Sequence, residues 1–135
     1  MKAKLFTKPL SNIFKNLPVR ACYLYGSRAK NKERTDSDYD LAVFVEDKNK
    51  INYRDMLSII NANFSNPDKL HLTLVDLNSS SPLLLYQIIK NGQLLFEKQY
   101  GSHVNMESYV MRLFFDDQYR NKVYYQKLKK SYADR

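Results

Sequence analysis

Two short runs of the chain combine residue types that bind phosphates and metal ions. Gly26 and Ser27 end one apolar, β-favouring segment, and Asp38 and Asp40 follow after ten intervening residues, at the start of the next. Side chains two residues apart on a strand share a face, so the two carboxylates are expected side by side. A divalent cation that prefers hard oxygen ligands, such as Mg²⁺, removes their mutual repulsion. Asp38 and Asp40 are therefore predicted metal ligands, and an exposed acidic strand edge is the alternative.

The Gly-Ser pair predicts a phosphate-binding turn. Gly26 has no side chain, so the backbone at the strand end can approach a ligand closely. Ser27 then opens a turn whose amide groups can point at phosphates, as those at helix N-termini do. Arg28 and Lys30 come next in the sequence and either neutralise phosphate charge or remain solvated in a loop. We assign Gly26, Ser27 and Arg28 to nucleotide binding.

Hydrophobic periodicity and capping residues indicate the elements that position these runs. Helices are expected over residues 10–17, 52–64 and 83–90 and from about 102 onward, and strands over 19–25, 39–45, 70–77 and 94–96. Asn52 and Ser81 are suitable N-cap residues, and Pro82 suits the first position of a helix. This order of elements predicts an α/β fold, a sheet with helices packed on it.

Length and composition limit the possible classes of protein. A chain of 135 residues suits one domain, and its net charge of +8 suits anionic partners such as nucleotides, nucleic acid or an acidic protein. Like charges do not cluster in a block of five, so a nucleic-acid-binding tail is not expected. The single cysteine, Cys22, favours a reducing cytoplasm, and no apolar run reaches the ~20 residues that span a bilayer.

The Gly-Ser and Asp-x-Asp runs together resemble the signature of the DNA polymerase beta-like nucleotidyltransferases. The sequence is most similar to the minimal nucleotidyltransferase (MNT) antitoxins of HEPN/MNT toxin–antitoxin systems, through residues 75–78, 81–84 and 91–96 as well. The resemblance covers residues 15–100. It implies a minimal polymerase-beta-like fold, a mixed sheet flanked by helices with a C-terminal helical segment. We expect a single nucleotidyltransferase domain over residues 1–135, with a core at about 15–100 and the helical segment at about 102–132.

The resemblance also implies an activity. In it, the Gly26–Ser27 turn holds the β- and γ-phosphates of ATP, and Asp38 and Asp40 hold Mg²⁺. The enzyme is then a Mg²⁺-dependent protein adenylyltransferase that moves AMP to a tyrosine of a helical HEPN ribonuclease toxin and neutralises it (AMPylation). Neither a membrane nor a specific nucleic-acid sequence is an expected partner.

One position departs from the family pattern. Where the family usually has its third carboxylate, on the next core strand, this chain has Thr73. A hydroxyl cannot replace a carboxylate as metal ligand and proton acceptor. Asp76 is the remaining candidate for a third metal ligand, and it can serve only if the strand bends or bulges there. His71 shares the face of Thr73 and is either a proton acceptor or an ordinary polar residue.

Two other functions remain open, the first of them because of this departure. The chain is an antitoxin that acts by binding alone, or it is a nucleotidyltransferase for a small molecule or a nucleic acid, although such relatives carry further domains for their acceptor. The C-terminal segment carries a long apolar and aromatic stripe, which is relevant to whether the chain binds a protein partner. Part of the stripe is expected to pack on the sheet and the rest to dock a helical partner. Its members are Met106, Val110, Leu113, Phe114, Tyr124, Leu128 and Tyr132.

Overall fold

Helices and strands follow one another in the predicted order through the part of the chain that the structure describes. The computed structural model describes residues 5–26 and 38–133. Its elements are α1 (Leu10–Phe14), β1 (Val19–Tyr25), β2 (Tyr39–Val45), α2 (Tyr53–Ala62), β3 (Leu70–Val75), α3 (Pro82–Asn91), β4 (Gln93–Glu97) and α4 (Ser102–Ala133). Short 3-10 turns lie at Lys48–Lys50 and Pro67–Lys69.

The four strands form one mixed sheet in the order β3-β2-β1-β4. The β1–β2 and β1–β4 pairs are antiparallel, and β2–β3 is parallel. A parallel pair needs a crossover connection, which α2 supplies between β2 and β3. The mixed sheet, its flanking helices and the C-terminal helix confirm the predicted fold class.

Each face of the sheet is covered by helices, because the strand residues alternate between two apolar sets. Cys22 and Leu24 of β1 lie in a buried cluster with Phe14 of α1 and Ile60 of α2. The intervening Ala21 and Tyr23 lie in a second cluster, with Leu85 of α3 and Val110 of α4. The candidate site lies on the face of the sheet that carries this second cluster.

The predicted N-cap residues begin α2 and α3 in the structure. The Asn52 side chain accepts a hydrogen bond from the Asp55 amide at the start of α2. The Ser81 side chain accepts one from the Leu84 amide at the start of α3, where Pro82 is the first helical residue. Such caps contribute about 1 kcal/mol each. The first helix is shorter than predicted and ends at Phe14.

The last helix is much longer than the sheet it packs on. Its 32 residues span about 48 Å, whereas the seven residues of β1 span about 23 Å. The helix begins beside Glu97, whose carboxylate accepts hydrogen bonds from the Gly101 and His103 amides. Met106 and Val110 are its buried residues. From residue 115 to residue 133 all its side chains are exposed or half-buried, and we call this range the distal half of α4.

Within residues 5–26 and 38–133, the helices are all too short or too polar to cross a membrane.

Candidate functional site

Three neighbouring strands bring polar side chains together at one end of the sheet. Asp40 is the second residue of β2, and its register partners are Tyr25 on β1 and His71 on β3. Side chains two residues apart on a strand share a face, so Asp40 lies on the same face of the sheet as Ala42 and Phe44. Asp40 thus lies at the start of a strand, Asp38 immediately precedes that strand, and β1 ends beside Asp40.

Gly26 lies directly against the Asp40 carboxylate. The backbone of Gly26 has a φ of 78°, in the left-handed region that side chains disfavour. A Cβ atom on this residue would lie 2.5 Å from Asp40 Oδ2. Glycine is therefore required twice here, once by the backbone conformation and once by the carboxylate. The sequence motifs at residues 26 and 40 meet in space, which strand order alone did not guarantee.

The other residues assigned from the sequence are placed as follows. Asp38 is exposed and immediately precedes β2, two residues from Asp40. Ser27 and Arg28, assigned to nucleotide binding, lie outside the described residues, as does Lys30. Their roles remain predictions.

A histidine contacts the aspartate across the parallel strand pair. His71 Nδ1 lies 3.0 Å from Asp40 Oδ1. The side chain of Asp40 is 30% exposed and that of His71 is 64% exposed. One carboxylate oxygen of Asp40 is thus engaged by the imidazole, and the other faces Gly26. Because the pair is open to solvent, its net contribution to folding is small, about 0–1 kcal/mol.

Thr73, at the position of the third family carboxylate, lies on the same face and has its own partner. Its hydroxyl is 3.1 Å from the Tyr25 hydroxyl, at hydrogen-bonding distance. Sequence reasoning did not single out Tyr25 from the other tyrosines of the chain. Its place as the residue before Gly26, on the face of Tyr23, was the available signal. Two neutral hydroxyl groups therefore stand where a carboxylate is usual.

The structure does not bring Asp76 to the other aspartates. It follows the last residue of β3, five positions beyond His71, at the opposite end of the strand. Its buried carboxylate accepts hydrogen bonds from the Lys48, Asn78 and Ser79 amides and from the Ser79 hydroxyl. No bend of β3 carries it back to Asp40, so we leave Asp76 out of the proposed site.

Electrostatics agree with a structural role for Asp76. Burial by itself raises the pKa of this carboxyl group, but the hydrogen bonds from Lys48, Ser79 and Asn78 outweigh burial and hold the pKa at about 2. Because these donors bind the ionised carboxylate, Asp76 links the loop that follows β3 to the 3-10 turn that follows β2.

The donor set at the Asp40 end suits a divalent cation with a triphosphate. Asp38 and Asp40 offer hard carboxylate oxygens, and Gly26, which has no side chain, lies directly against Asp40 Oδ2. Within the described residues, three or more His, Cys, Asp or Glu side chains do not group as a ready-made metal cage. Asp38 and Asp40 are the candidate ligands for such an ion.

A cavity lies at the other end of the sheet. It has a volume of about 290 Å³ and is lined by Arg20, Glu46, Leu77, Asn78, Asn105, Met106 and Tyr109. Arg20 Nε and Glu46 Oε1 are 3.5 Å apart at its edge. The strand register separates it from Asp40, so it is not part of the candidate site.

The sequence profile described as "Polymerase beta, Nucleotidyltransferase" matches residues 8–101. The chain belongs to the polymerase beta nucleotidyltransferase family. The matched range contains every strand of the sheet and both predicted motifs. Comparison with curated proteins gives no match.

Solved structures with the same fold include chains of toxin–antitoxin complexes. One, from a toxin–antitoxin crystal structure with AMP-PNP, has a TM-score of 0.63 at 17% identity and covers 90% of this chain and 96% of its own. A chain of the MntA-HepT toxin–antitoxin has a TM-score of 0.57 at 18% identity, with coverages of 89% and 93%. A chain of the complex of tri-AMPylated Shewanella oneidensis HEPN toxin with MNT antitoxin has 0.57 at 17%, with coverages of 89% and 92%. At these identities the likeness establishes the fold.

Proposed function

We propose that this nucleotidyltransferase is an antitoxin-type protein adenylyltransferase, which moves AMP from ATP to a tyrosine of a helical HEPN ribonuclease toxin. Family membership supports nucleotidyl transfer. Fold likeness over nearly the full length to chains of toxin–antitoxin complexes, one with AMP-PNP and one with a tri-AMPylated HEPN toxin, supports the partner and the transferred group.

The observation that carries the proposal is the contact between Gly26 and Asp40. A phosphate-binding turn and a metal-binding carboxylate can act on one nucleotide only if they adjoin. The positive φ of Gly26 and its fit against Asp40 Oδ2 satisfy that requirement. Gly101 has a similar φ and no such contact, so the fit of Gly26 against the carboxylate supports the proposal more than its backbone conformation does.

The proposed chemistry is an in-line displacement at the α-phosphorus of ATP. The tyrosine oxygen of the acceptor forms the new bond, the bond from the α-phosphorus to the bridging oxygen breaks, and pyrophosphate leaves. Mg²⁺ held by Asp38 and Asp40 would neutralise developing phosphate charge and orient the leaving group. The Thr73 hydroxyl is no base at neutral pH, so the proton of the acceptor goes to a carboxylate of the Asp-x-Asp pair or to solvent.

The distal half of α4 supplies a surface for the acceptor protein. The apolar stripe of the helix is buried at Met106 and Val110, but it continues to Tyr124, which is 63% exposed, and to the half-buried Leu128. We propose that this second part of the stripe contacts the toxin, because helices recognise helical partners through such faces.

The Tyr25–Thr73 contact favours a second candidate function. A site with two neutral hydroxyl groups in place of a third carboxylate is suited to binding Mg²⁺ and ATP but less suited to rapid transfer. In that case the chain neutralises its toxin by contact alone.

Intact-mass measurement on the co-purified toxin separates these functions. Incubation with ATP and Mg²⁺ should add AMP groups to the toxin, and chelation of Mg²⁺ should prevent it. Asp38→Asn with Asp40→Asn should abolish the adduct without unfolding the chain. A matched control, Asp55→Asn with Asp68→Asn, removes the same charge from exposed positions elsewhere. Tight toxin binding without any adduct in the wild type would leave the binding-only function.

A further inference from the structure

The distal half of α4 has a second face, opposite the apolar stripe. Tyr119, Lys122, Gln126, Lys129 and Lys130 recur at intervals of three and four residues or lie adjacent, so they share one side of the helix. All five side chains are exposed. Tyr124 and Leu128, which continue the stripe, are about half a turn away from this set. We call this set the basic face of α4.

Beyond Asp116 and Asp117, the side-chain charges of α4 are all positive as far as Ala133. Five basic residues lie between Gln118 and Ala133, and the same range holds no aspartate or glutamate. Lys122, Lys127 and Lys129 have no aspartate or glutamate three or four residues away, and Lys130 has only Asp134. Like charges so close together repel each other, and a polyanion relieves the repulsion by displacing small counterions.

Exposed aromatic rings accompany these charges. Tyr119 is 70% exposed and Tyr125, at the border of the basic face, is 63% exposed. Planar rings interleaved with lysines are the combination that binds single-stranded nucleic acid, because bases stack on the rings while the lysines follow the phosphates. A solvated helix face needs lysines for solubility, but it gains nothing from exposed rings beside them.

We propose that the basic face of α4 binds single-stranded nucleic acid without sequence specificity. The 16 residues from Gln118 to Ala133 span about 24 Å, which is the length of about seven nucleotides at 3.4 Å each. The expected absence of sequence-specific binding is unaffected, since lysines and tyrosine rings read phosphates and base planes rather than base edges. This binding requires neither ATP nor the Asp40 end of the sheet, so it is independent of the proposed transfer.

Fluorescence anisotropy with a labelled single-stranded oligouridylate of about 15 nucleotides tests the proposal on the full chain. The wild type should bind with a dissociation constant of micromolar order, and the affinity should fall steeply with salt. Lys122→Ala with Lys129→Ala and Lys130→Ala should weaken binding at least tenfold. The triple variant should also lower the salt slope by about 2, because each lysine that no longer neutralises a phosphate reduces the slope by about 0.7. Alanine favours helix, so the variant should keep its helical circular dichroism.

The control removes the same charge elsewhere. Lys8→Ala with Lys15→Ala and Lys50→Ala changes three exposed lysines outside α4 and should alter the affinity less than threefold. Tyr119→Ala should weaken binding, and Tyr119→Phe, which keeps the ring, should restore it. Equal losses in both lysine triples, or equal affinity for a duplex of the same length, would overturn the proposal in favour of attraction to any polyanion. Unchanged binding in the α4 triple would overturn it as well.

Discussion

His71 Nδ1 lies 3.0 Å from Asp40 Oδ1, across the parallel pair of β2 and β3. The contact uses one oxygen of the carboxylate and leaves Oδ2 beside Gly26. His71 on β3 therefore restrains the Asp40 carboxylate. It lies two residues before Thr73, the position where the family usually has its third carboxylate.

Removal of this imidazole is expected to weaken metal binding more than folding. His71→Ala frees the Asp40 side chain to rotate, so the Mg²⁺ concentration for half-maximal nucleotide binding should rise several-fold. The free energy of unfolding should change by less than about 1 kcal/mol, since the pair is exposed. His71→Asn, which keeps a donor near the same place, should recover part of the loss. Calorimetric titrations of ATP at several Mg²⁺ concentrations measure the effect, and an unchanged Mg²⁺ requirement would contradict it.

Two glycines with similar backbones allow the effect of the Gly26 contact to be measured separately. Gly26 has a φ of 78° and Gly101 a φ of 83°, but a Cβ at Gly101 would meet nothing within 4 Å. Both alanine variants should lose about 1–2 kcal/mol of stability from the left-handed conformation. Gly26→Ala should in addition displace the Asp40 carboxylate and lower the affinity for Mg²⁺ and ATP at least tenfold. Equal ATP affinity in the two variants would remove Gly26 from the nucleotide site.

Restoring the third carboxylate should raise the rate of transfer. Thr73→Asp places an acidic group next to the Tyr25 hydroxyl, which can donate a hydrogen bond to it. We expect the AMP adduct on the toxin to form about tenfold faster or more, a change of about 1.4 kcal/mol in the barrier. Thr73→Asn is the matched neutral control. If the aspartate and asparagine variants both react at the wild-type rate, the missing acid does not limit the reaction.

Asp76 should matter for stability and not for metal binding. Asp76→Asn leaves the amides of Lys48, Asn78 and Ser79 with a poorer acceptor and should cost about 1–3 kcal/mol. The native pKa is about 2 against an ordinary 3.8, so the stabilisation is present above about pH 5 and is lost as the pH falls toward 2. Urea unfolding at pH 7 and pH 2.5 should show the wild type and the variant converging at the acidic pH. A lower Mg²⁺ affinity of the variant at pH 7 would instead make Asp76 a metal ligand.

The exposed part of the α4 stripe should be dispensable for folding. Tyr124→Glu with Leu128→Glu alters side chains outside the two buried clusters, so the melting temperature should stay within a few degrees of the wild type. Toxin binding, measured by co-purification and calorimetry, should be abolished. Normal binding by the stable variant would place the toxin interface elsewhere. The Lys122, Lys129 and Lys130 triple should keep toxin binding, because its side chains lie on the opposite face.

Sequence reasoning predicted the strands well because their apolar runs and alternation encode burial directly. Both β1 and β2 have the predicted bounds. The contacts of Tyr25 with Thr73 and of Asp40 with His71 were out of reach, because they depend on strand order and register. The predicted end of β3 is wrong by two residues, since the sequence alone does not reveal that Asp76 turns inward to cap a loop.

Periodicity was equally limited along α4. The stripe has helical spacing both at Met106 and Val110 and at Tyr124 and Leu128, so the pattern predicted a helix throughout and could not tell which part faces a sheet. The strands are shorter than α4, so only the first part of the helix can pack on the sheet. The basic face is hidden in the sequence for a similar reason, because six residues separate Lys122 from Lys129 and Lys130 and the three lysines come together only on the helix surface.

The difference in length between α4 and the sheet implies a gradient of amide exchange along a single helix. Amides near Met106 and Val110 can open only when the core does, so they should exchange with the free energy of global unfolding. Those in residues 115–133 are held by helical hydrogen bonds with little tertiary support, and tertiary packing is the main source of helix stability in proteins. They should exchange orders of magnitude faster in the free protein and slow down when a partner covers them. The rate of deuterium uptake in the distal half of α4 would thus show whether a partner is bound there.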